Sequence, residues 1–193
     1  MLEKTLKRLL EGNRRYAANK PTLDESVRRR IEVAAVQKPF AAILSCVDSR
    51  VAPELVFDQG LGDLFVIRTA GQVLDKAVLG SLEFGVAELH IPILMVLGHE
   101  RCGAVKAAMD VIARHGTAKA DIEFLVEALS PAVEAGKKTA GDPWDNAVRA
   151  QIALLVKKLK HSPILDNTVK AGKLLIVGAY YNLETGLVEI TVP

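Results

Sequence analysis

Four short runs of continuous apolar residues constrain the fold of this chain more than any other feature. They lie at residues 40–45, 64–69, 91–97 and 174–179. Runs of this length without alternation are typical of parallel strands that are covered on both faces. Segments with helical spacing of apolar residues separate or follow them, at residues 52–58, 74–89, 103–115, 121–138, 144–160 and 164–171.

The order of these segments predicts an α/β fold. A turn is predicted at residues 181–186, and residues 187–192 then alternate as an edge strand does. We therefore expect a mainly parallel four-stranded sheet with an added C-terminal edge strand, flanked by helices. Two further helices are predicted at residues 2–19 and about 24–37, the second with Asp24 as its N-cap. No repeat or linker interrupts the sequence, so residues 1–193 are predicted to form a single domain.

The charge balance argues against several classes of partner. The chain has 25 basic and 23 acidic residues and a formal net charge of +2, which gives no reason to expect nucleic acid or an anionic membrane. No apolar run approaches the roughly 18–20 residues of a membrane-spanning helix. Charges interrupt the N-terminal segment, unlike a signal peptide. A cytoplasmic protein is the default expectation, although the sequence is also compatible with a leader removed beforehand.

Three potential metal ligands follow predicted strands. Cys46 and His99 each come directly after an apolar run, and Cys102 lies where the next helix begins. Because the carboxyl ends of parallel strands meet at one edge of a sheet, these side chains are expected to lie close together. The helix N-terminus favours a thiolate at Cys102. Two cysteines and one histidine with an open fourth position are typical of a catalytic zinc site.

Other interpretations of these residues remain open at this point. The two cysteines could be inert core residues, a disulfide, or thiols of a redox protein. A structural zinc site would require a fourth ligand, which Asp48 could provide. Asp48 and Arg50 lie two residues apart in a turn and are expected to form an ion pair. A cysteine phosphatase loop is excluded, because it requires arginine six residues after the cysteine and position 52 is alanine.

Two sequence segments resemble the signatures of the β-class carbonic anhydrases. They are CVDSR at residues 46–50 and GHERCGAV at residues 98–105. The segments FDQGLGDLFVIRTAG, at residues 57–71, and GKLLIVGAYYNLETG, at residues 172–186, are similar to the same family. Either signature alone is weak, but the pair is specific, and the resemblance covers nearly the whole chain.

The resemblance implies roles for individual residues. It implies that Cys46, His99 and Cys102 bind one Zn²⁺ per subunit and that Asp48 and Arg50 form the catalytic dyad. In some members of the family the corresponding aspartate binds zinc in a closed, inactive state, and Asp48 could do the same, so the open and closed arrangements both remain possible at this point. It further implies that five residues line the substrate pocket, some of them from a neighbouring subunit: Gln37, Phe65, Ala70, Phe84 and Gly103. Many relatives have tyrosine where this chain has Phe84, so a hydroxyl contact is lost there.

The activity implied is that of a carbonate dehydratase, a zinc lyase. Zinc-bound hydroxide would attack carbon dioxide and give bicarbonate and a proton, reversibly. Two thiolates leave the site without net charge, so activity is expected to rise on the alkaline side of neutrality. The alternative is a carbonyl sulfide or carbon disulfide hydrolase on the same scaffold. The resemblance also implies a homodimer or homotetramer in which the N-terminal helix extends onto a neighbouring subunit.

Overall fold

A computed structural model describes residues 2–193; Met1, the first residue of the predicted domain, lies outside them. The strands are β1 (Ala41–Cys46), β2 (Leu64–Thr69), β3 (Ile93–His99), β4 (Leu175–Tyr181) and β5 (Val188–Val192). The helices are α1 (Leu2–Ala17), α2 (Val27–Val33), α3 (Pro53–Val56), α4 (Lys76–Ala87), α5 (Gly103–Ala113), α6 (Ile122–Gly136), α7 (Pro143–Leu159) and α8 (Pro163–Lys170). No helix within residues 2–193 is long and apolar enough to span a membrane.

The five strands form one sheet in the order β2-β1-β3-β4-β5. The first four are parallel to their neighbours, and β5 runs antiparallel to β4. This arrangement confirms the predicted parallel sheet with a C-terminal edge strand. The central strands β1 and β3 are buried along their full length, because helices cover both faces. That burial explains why their sequences are continuously apolar rather than alternating.

Two hydrophobic clusters lie on opposite faces of the sheet. One contains Leu44 and Val96 together with apolar residues of α4 to α8. The other contains Ile43 and Met95 together with Leu9 of α1 and Val56 of α3. Successive strand residues point to opposite faces, so each buried strand contributes to both clusters. The helices α5 and α7 are thereby brought close to the carboxyl ends of β1 and β3.

The N-terminal helix packs against its own chain. Leu9 is fully buried, and the Asn13 amide donates to the carbonyl oxygens of Val56 and Gly186. Beyond the helix, the buried Asp58 carboxylate accepts from the Arg15 side chain and from the Thr22 N–H. The predicted extension of this helix onto a neighbouring subunit stays a prediction.

Several predicted boundaries differ from the structure. The second helix is confined to Val27–Val33, and its N-cap is Ser26, whose hydroxyl accepts from the Arg29 N–H. The prediction that Asp24 caps this helix is wrong, because its carboxylate instead accepts from the Ser26 N–H. The predicted helix at 52–58 is a single turn, α3, since Asp58 adopts a left-handed conformation with φ of 49°.

Candidate metal centre

Three potential ligands meet at the carboxyl edge of the sheet. Cys46 is the last residue of β1, His99 is the last residue of the neighbouring β3, and Cys102 is the N-cap of α5. The Sγ atoms of the two cysteines lie 3.9 Å apart. One ligand atom from each of the three residues lies within 4.8 Å of the other two, and all three residues are buried. The strand topology therefore brings together the residues that the sequence singled out.

The donor atoms of this group fit a zinc ion. His99 Nδ1 lies 2.8 Å from the carbonyl oxygen of Glu100, so Nδ1 carries the proton and Nε2 keeps its lone pair. Within residues 2–193, Nε2 is buried without a hydrogen-bond partner. A buried polar atom of this kind requires an explanation. A zinc ion held by the two cysteines and this imidazole would provide it, and such a ligand set would leave a position for a fourth ligand.

The two thiols differ in acidity because they share a hydrogen bond. Donation from Cys102 lowers the pKa of Cys46 to about 4, although burial opposes this shift. The pKa of Cys102 is raised, first by that hydrogen bond and then by burial, despite the N–H groups of Ala104 and Val105. The hydrogen bond and burial thus outweigh the helix N-terminus, from which a thiolate at Cys102 was expected. The hydrogen bond between the two sulfurs favours one thiolate in the pair, and a bound metal would displace the remaining proton.

Asp48 forms an ion pair with Arg50 beside the three ligands. Arg50 Nε and Nη2 lie 3.0 and 2.8 Å from the two carboxylate oxygens of Asp48, a bidentate arrangement. These hydrogen bonds lower the pKa of Asp48 to about 2. Asp48 Oδ2 also lies 3.9 Å from His99 Nε2. The carboxylate therefore remains ionised, bound to Arg50 and directed toward the centre.

Two residues at the site were not identified from the sequence. Arg68 donates from Nε to the Cys46 carbonyl and from Nη2 to the Asp48 carbonyl, at 2.8 and 2.7 Å. The Gly71 N–H donates to Cys46 Sγ over 3.4 Å. The sequence contained a signal for Arg68, since a charged residue near the end of the apolar run LFVIRT requires a polar partner. It contained no signal for Gly71, whose contact depends on the turn after β2.

Two of the predicted pocket residues adjoin the site in the chain. Gly103 follows Cys102 directly, and Ala70 precedes Gly71, whose N–H donates to Cys46 Sγ. Phe65 is paired with Ala42, four residues before the end of β1, which places its Cα about 13 Å from the carboxyl edge.

Two further pocket residues lie elsewhere on the surface. Phe84 is half exposed on α4, and Gln37 is exposed before the start of β1, at the opposite end of that strand. One subunit thus does not bring Gln37, Phe65 or Phe84 to its own candidate centre.

Comparisons with known proteins agree on one family. The family model described as "Carbonic anhydrase" matches residues 41–188. The chain is 42% identical to "Carbonic anhydrase 2" of Mycobacterium tuberculosis over 93% of this chain and 88% of that protein. It is 39% identical to "Carbonic anhydrase" of Mycolicibacterium smegmatis, over 95% and 90% of the two chains.

Solved structures show the same fold. The β-carbonic anhydrase of Coccomyxa, in complex with acetazolamide, superposes with a TM-score of 0.74 at 28% identity, over 96% of this chain and 85% of that chain. One of two tetrameric β-carbonic anhydrases from Sordaria macrospora superposes with a TM-score of 0.75 at 18% identity, over 83% and 84% of the two chains.

Proposed function

The chain belongs to the β-class carbonic anhydrases, and on this premise we propose that it catalyses the zinc-dependent, reversible hydration of carbon dioxide to bicarbonate and a proton. The convergence of Cys46, His99 and Cys102 beside an ionised Asp48 supports the proposal most directly. It combines a ligand set suited to zinc with a hydrogen-bond acceptor directed at the open side of that set.

We propose that Cys46, His99 and Cys102 hold one zinc ion per subunit. When bound, zinc supplies a Lewis acid that lowers the pKa of water toward neutrality and so provides the nucleophile. Both cysteines would be thiolates in that state, and their two negative charges balance the charge of the cation. Activity is therefore expected to rise on the alkaline side of neutrality.

Asp48 has the role of orienting the nucleophile. An ionised carboxylate only accepts hydrogen bonds, so Asp48 would take one from the attacking water or hydroxide and direct its lone pair at the carbon of carbon dioxide. Arg50 holds the carboxylate in place through two hydrogen bonds. Arg68 fixes the backbone of the same turn from β2. The proton released by the reaction passes to solvent or buffer.

The substrate pocket is proposed to be completed by a second subunit. Ala70 and Gly103 lie beside the ligands of their own chain, whereas Gln37, Phe65 and Phe84 would contribute from a partner. The phenylalanines would provide an apolar surface for an uncharged substrate, and the Gln37 amide would donate to a substrate oxygen. We propose that the enzyme works as a homodimer or homotetramer in the cytoplasm.

A zinc measurement combined with a stopped-flow hydration assay tests this function. We expect about one zinc per chain and carbon dioxide hydration at alkaline pH. Asp48→Asn should retain zinc and lose about 100-fold or more of kcat/KM, because the acceptor becomes neutral. The matched control is Asp166→Asn, which removes an ion pair with Lys170 on α8 and should leave the activity unchanged. Carbonyl sulfide is assayed in parallel, because the ligands and dyad would serve either substrate.

The outcomes separate the alternatives. A zinc-loaded wild-type protein without hydration activity at alkaline pH would overturn the proposal. A thiol redox activity that persists without metal and survives His99→Ala would indicate a thiol redox protein instead.

A further inference from the structure

Two polar side chains of α7 reach the backbone that surrounds the candidate metal centre. The Trp144 indole Nε1 donates to the Cys102 carbonyl oxygen over 2.9 Å. The Gln151 amide Nε2 donates to the Gly71 carbonyl oxygen over 3.2 Å. Trp144 and Gln151 are seven residues apart, about two helical turns, and therefore lie on the same face of α7. One helix thus contacts the backbone of Cys102 and the turn whose Gly71 N–H donates to Cys46 Sγ.

Gly71 connects Gln151 to a metal ligand. Its carbonyl oxygen accepts from Gln151, while its N–H donates to Cys46 Sγ over 3.4 Å. Gly71 has φ of 64°, a left-handed conformation that favours glycine, and a β-carbon there would lie 3.0 Å from the Leu129 side chain. The Gly71 N–H and C=O belong to the two peptide groups that meet at its Cα, so Cys46 Sγ and Gln151 contact the same residue from its two sides.

The burial of Gln151 indicates that this contact matters. Gln151 is only 4% exposed and lies among the buried apolar residues Ala147, Val148, Ile152 and Leu155 of the same helix. Burying an amide among apolar side chains costs free energy unless the amide is hydrogen-bonded. An apolar residue would fill this position without that cost. The hydrogen bond to Gly71 offsets the cost. It also connects the amide, through Gly71, to the sulfur of Cys46.

We propose that Gln151 and Trp144 are positioning residues of the metal centre. Gln151 holds Gly71 so that its N–H donates to Cys46 Sγ, and Trp144 holds the backbone of Cys102. Groups that hydrogen-bond to metal ligands orient them and tune their basicity, and their loss typically weakens metal binding about 10- to 100-fold. This inference rests on the proposed zinc site.

The test compares two methionine variants of the same helix. Gln151→Met keeps a long side chain and removes the donor. Leu155→Met, one turn later and equally buried, is the matched control. Zinc affinity is measured by competition with a chromophoric chelator, the sulfur-to-metal charge-transfer band is recorded with Co²⁺, and unfolding is followed before metal is added. We expect Gln151→Met to weaken zinc binding at least about 10-fold and to shift the cobalt band, with Leu155→Met within about two-fold of wild type.

A second variant and a direct measurement keep the inference testable if Gln151→Met does not fold. Trp144→Phe keeps a ring and removes the donor to Cys102, and it should also weaken zinc binding about 10-fold. In wild-type protein loaded with ¹¹³Cd²⁺, the Gly71 amide proton should show scalar coupling to the metal through the N–H···S hydrogen bond.

The results that would overturn the positioning role differ from those that would overturn the proposed function. Equal zinc affinity and equal cobalt spectra in Gln151→Met and wild type, equal losses in Leu155→Met, or no coupling at Gly71 would overturn the positioning role alone. A wild-type protein that binds no zinc would overturn both this inference and the proposed function.

Discussion

At the scale of single residues, Arg50 matters for the orientation of the Asp48 carboxylate and much less for its ionisation at neutral pH. The hydrogen bonds from Arg50 lower the pKa of Asp48 to about 2. The ionised carboxylate is therefore present above that pH, and the stability that the pair contributes is lost only as the pH falls toward 2. Without Arg50 the pKa would return toward its ordinary value of about 4, and Asp48 would still be ionised at neutral pH.

We therefore predict that Arg50→Met lowers the rate without moving the pH profile. Misdirection of the carboxylate should reduce kcat about 10- to 100-fold, while the midpoint of kcat against pH stays where it is in wild type. Stopped-flow hydration between pH 6.5 and 9 measures both quantities. Lys170→Met, which removes an exposed ion pair with Asp166 on α8, is the control. A displaced midpoint in Arg50→Met would mean that Asp48 titrates in the working range.

At the scale of elements, α7 reaches the candidate centre because two glycines let it approach the sheet. A β-carbon on Gly98 of β3 would lie 2.5 Å from Ile152 Cδ1, and one on Gly178 of β4 would lie 2.5 Å from Ile152 Cγ2. Ile152 is fully buried and follows Gln151 in the sequence. The distance between α7 and the sheet at Ile152 therefore also determines whether the Gln151 amide reaches the Gly71 carbonyl oxygen.

A pair of substitutions should show this dependence as non-additive stability. Gly98→Ala is expected to destabilise the protein by about 2 kcal/mol through overpacking, and Ile152→Ala by about 3 kcal/mol through the space it leaves. In the double variant the new methyl group occupies part of that space, so the loss should be smaller than the sum by about 1 kcal/mol or more. Urea unfolding of the four proteins measures these values, and simple additivity would contradict the packing argument.

The sequence predicted the elements well and their tertiary contacts poorly. Continuous burial of β1 and β3 leaves a clear apolar signature, and a parallel sheet then places Cys46 and His99 at one edge. The contact between Gln151 and Gly71 spans 80 residues and depends on how α7 crosses the sheet, for which local periodicity contains no information. The start of α2 was predicted two residues too early, at Asp24 rather than Ser26. Aspartate and serine are both good N-cap residues, so the local sequence does not distinguish between the two positions.

At the scale of the whole molecule, α2 leaves an apolar face exposed, although its Val33 lies beside Gly62. No residue of this helix is buried, and Val27 and Ile31, one turn apart, are 62% and 69% exposed. A short helix without burial is not stable by itself. The loop that follows α2 carries Gln37, which lies away from the candidate centre of its own subunit. A second copy of the chain would both cover this apolar face and receive Gln37, which fits the proposed oligomer.

Ile31→Asp should therefore dissociate the oligomer and reduce activity together. A charge at the centre of an apolar interface is strongly unfavourable, so sedimentation velocity should show a shift toward monomer, with a loss of hydration activity that higher protein concentration partly restores. Ile122→Asp, at the start of α6 and 54% exposed, introduces the same charge outside the α2 face and serves as the control. If Ile31→Asp sediments as wild type does, α2 is not at the interface. If it is monomeric and fully active, Gln37, Phe65 and Phe84 of a partner are not required for catalysis, and the pocket must be complete within one subunit.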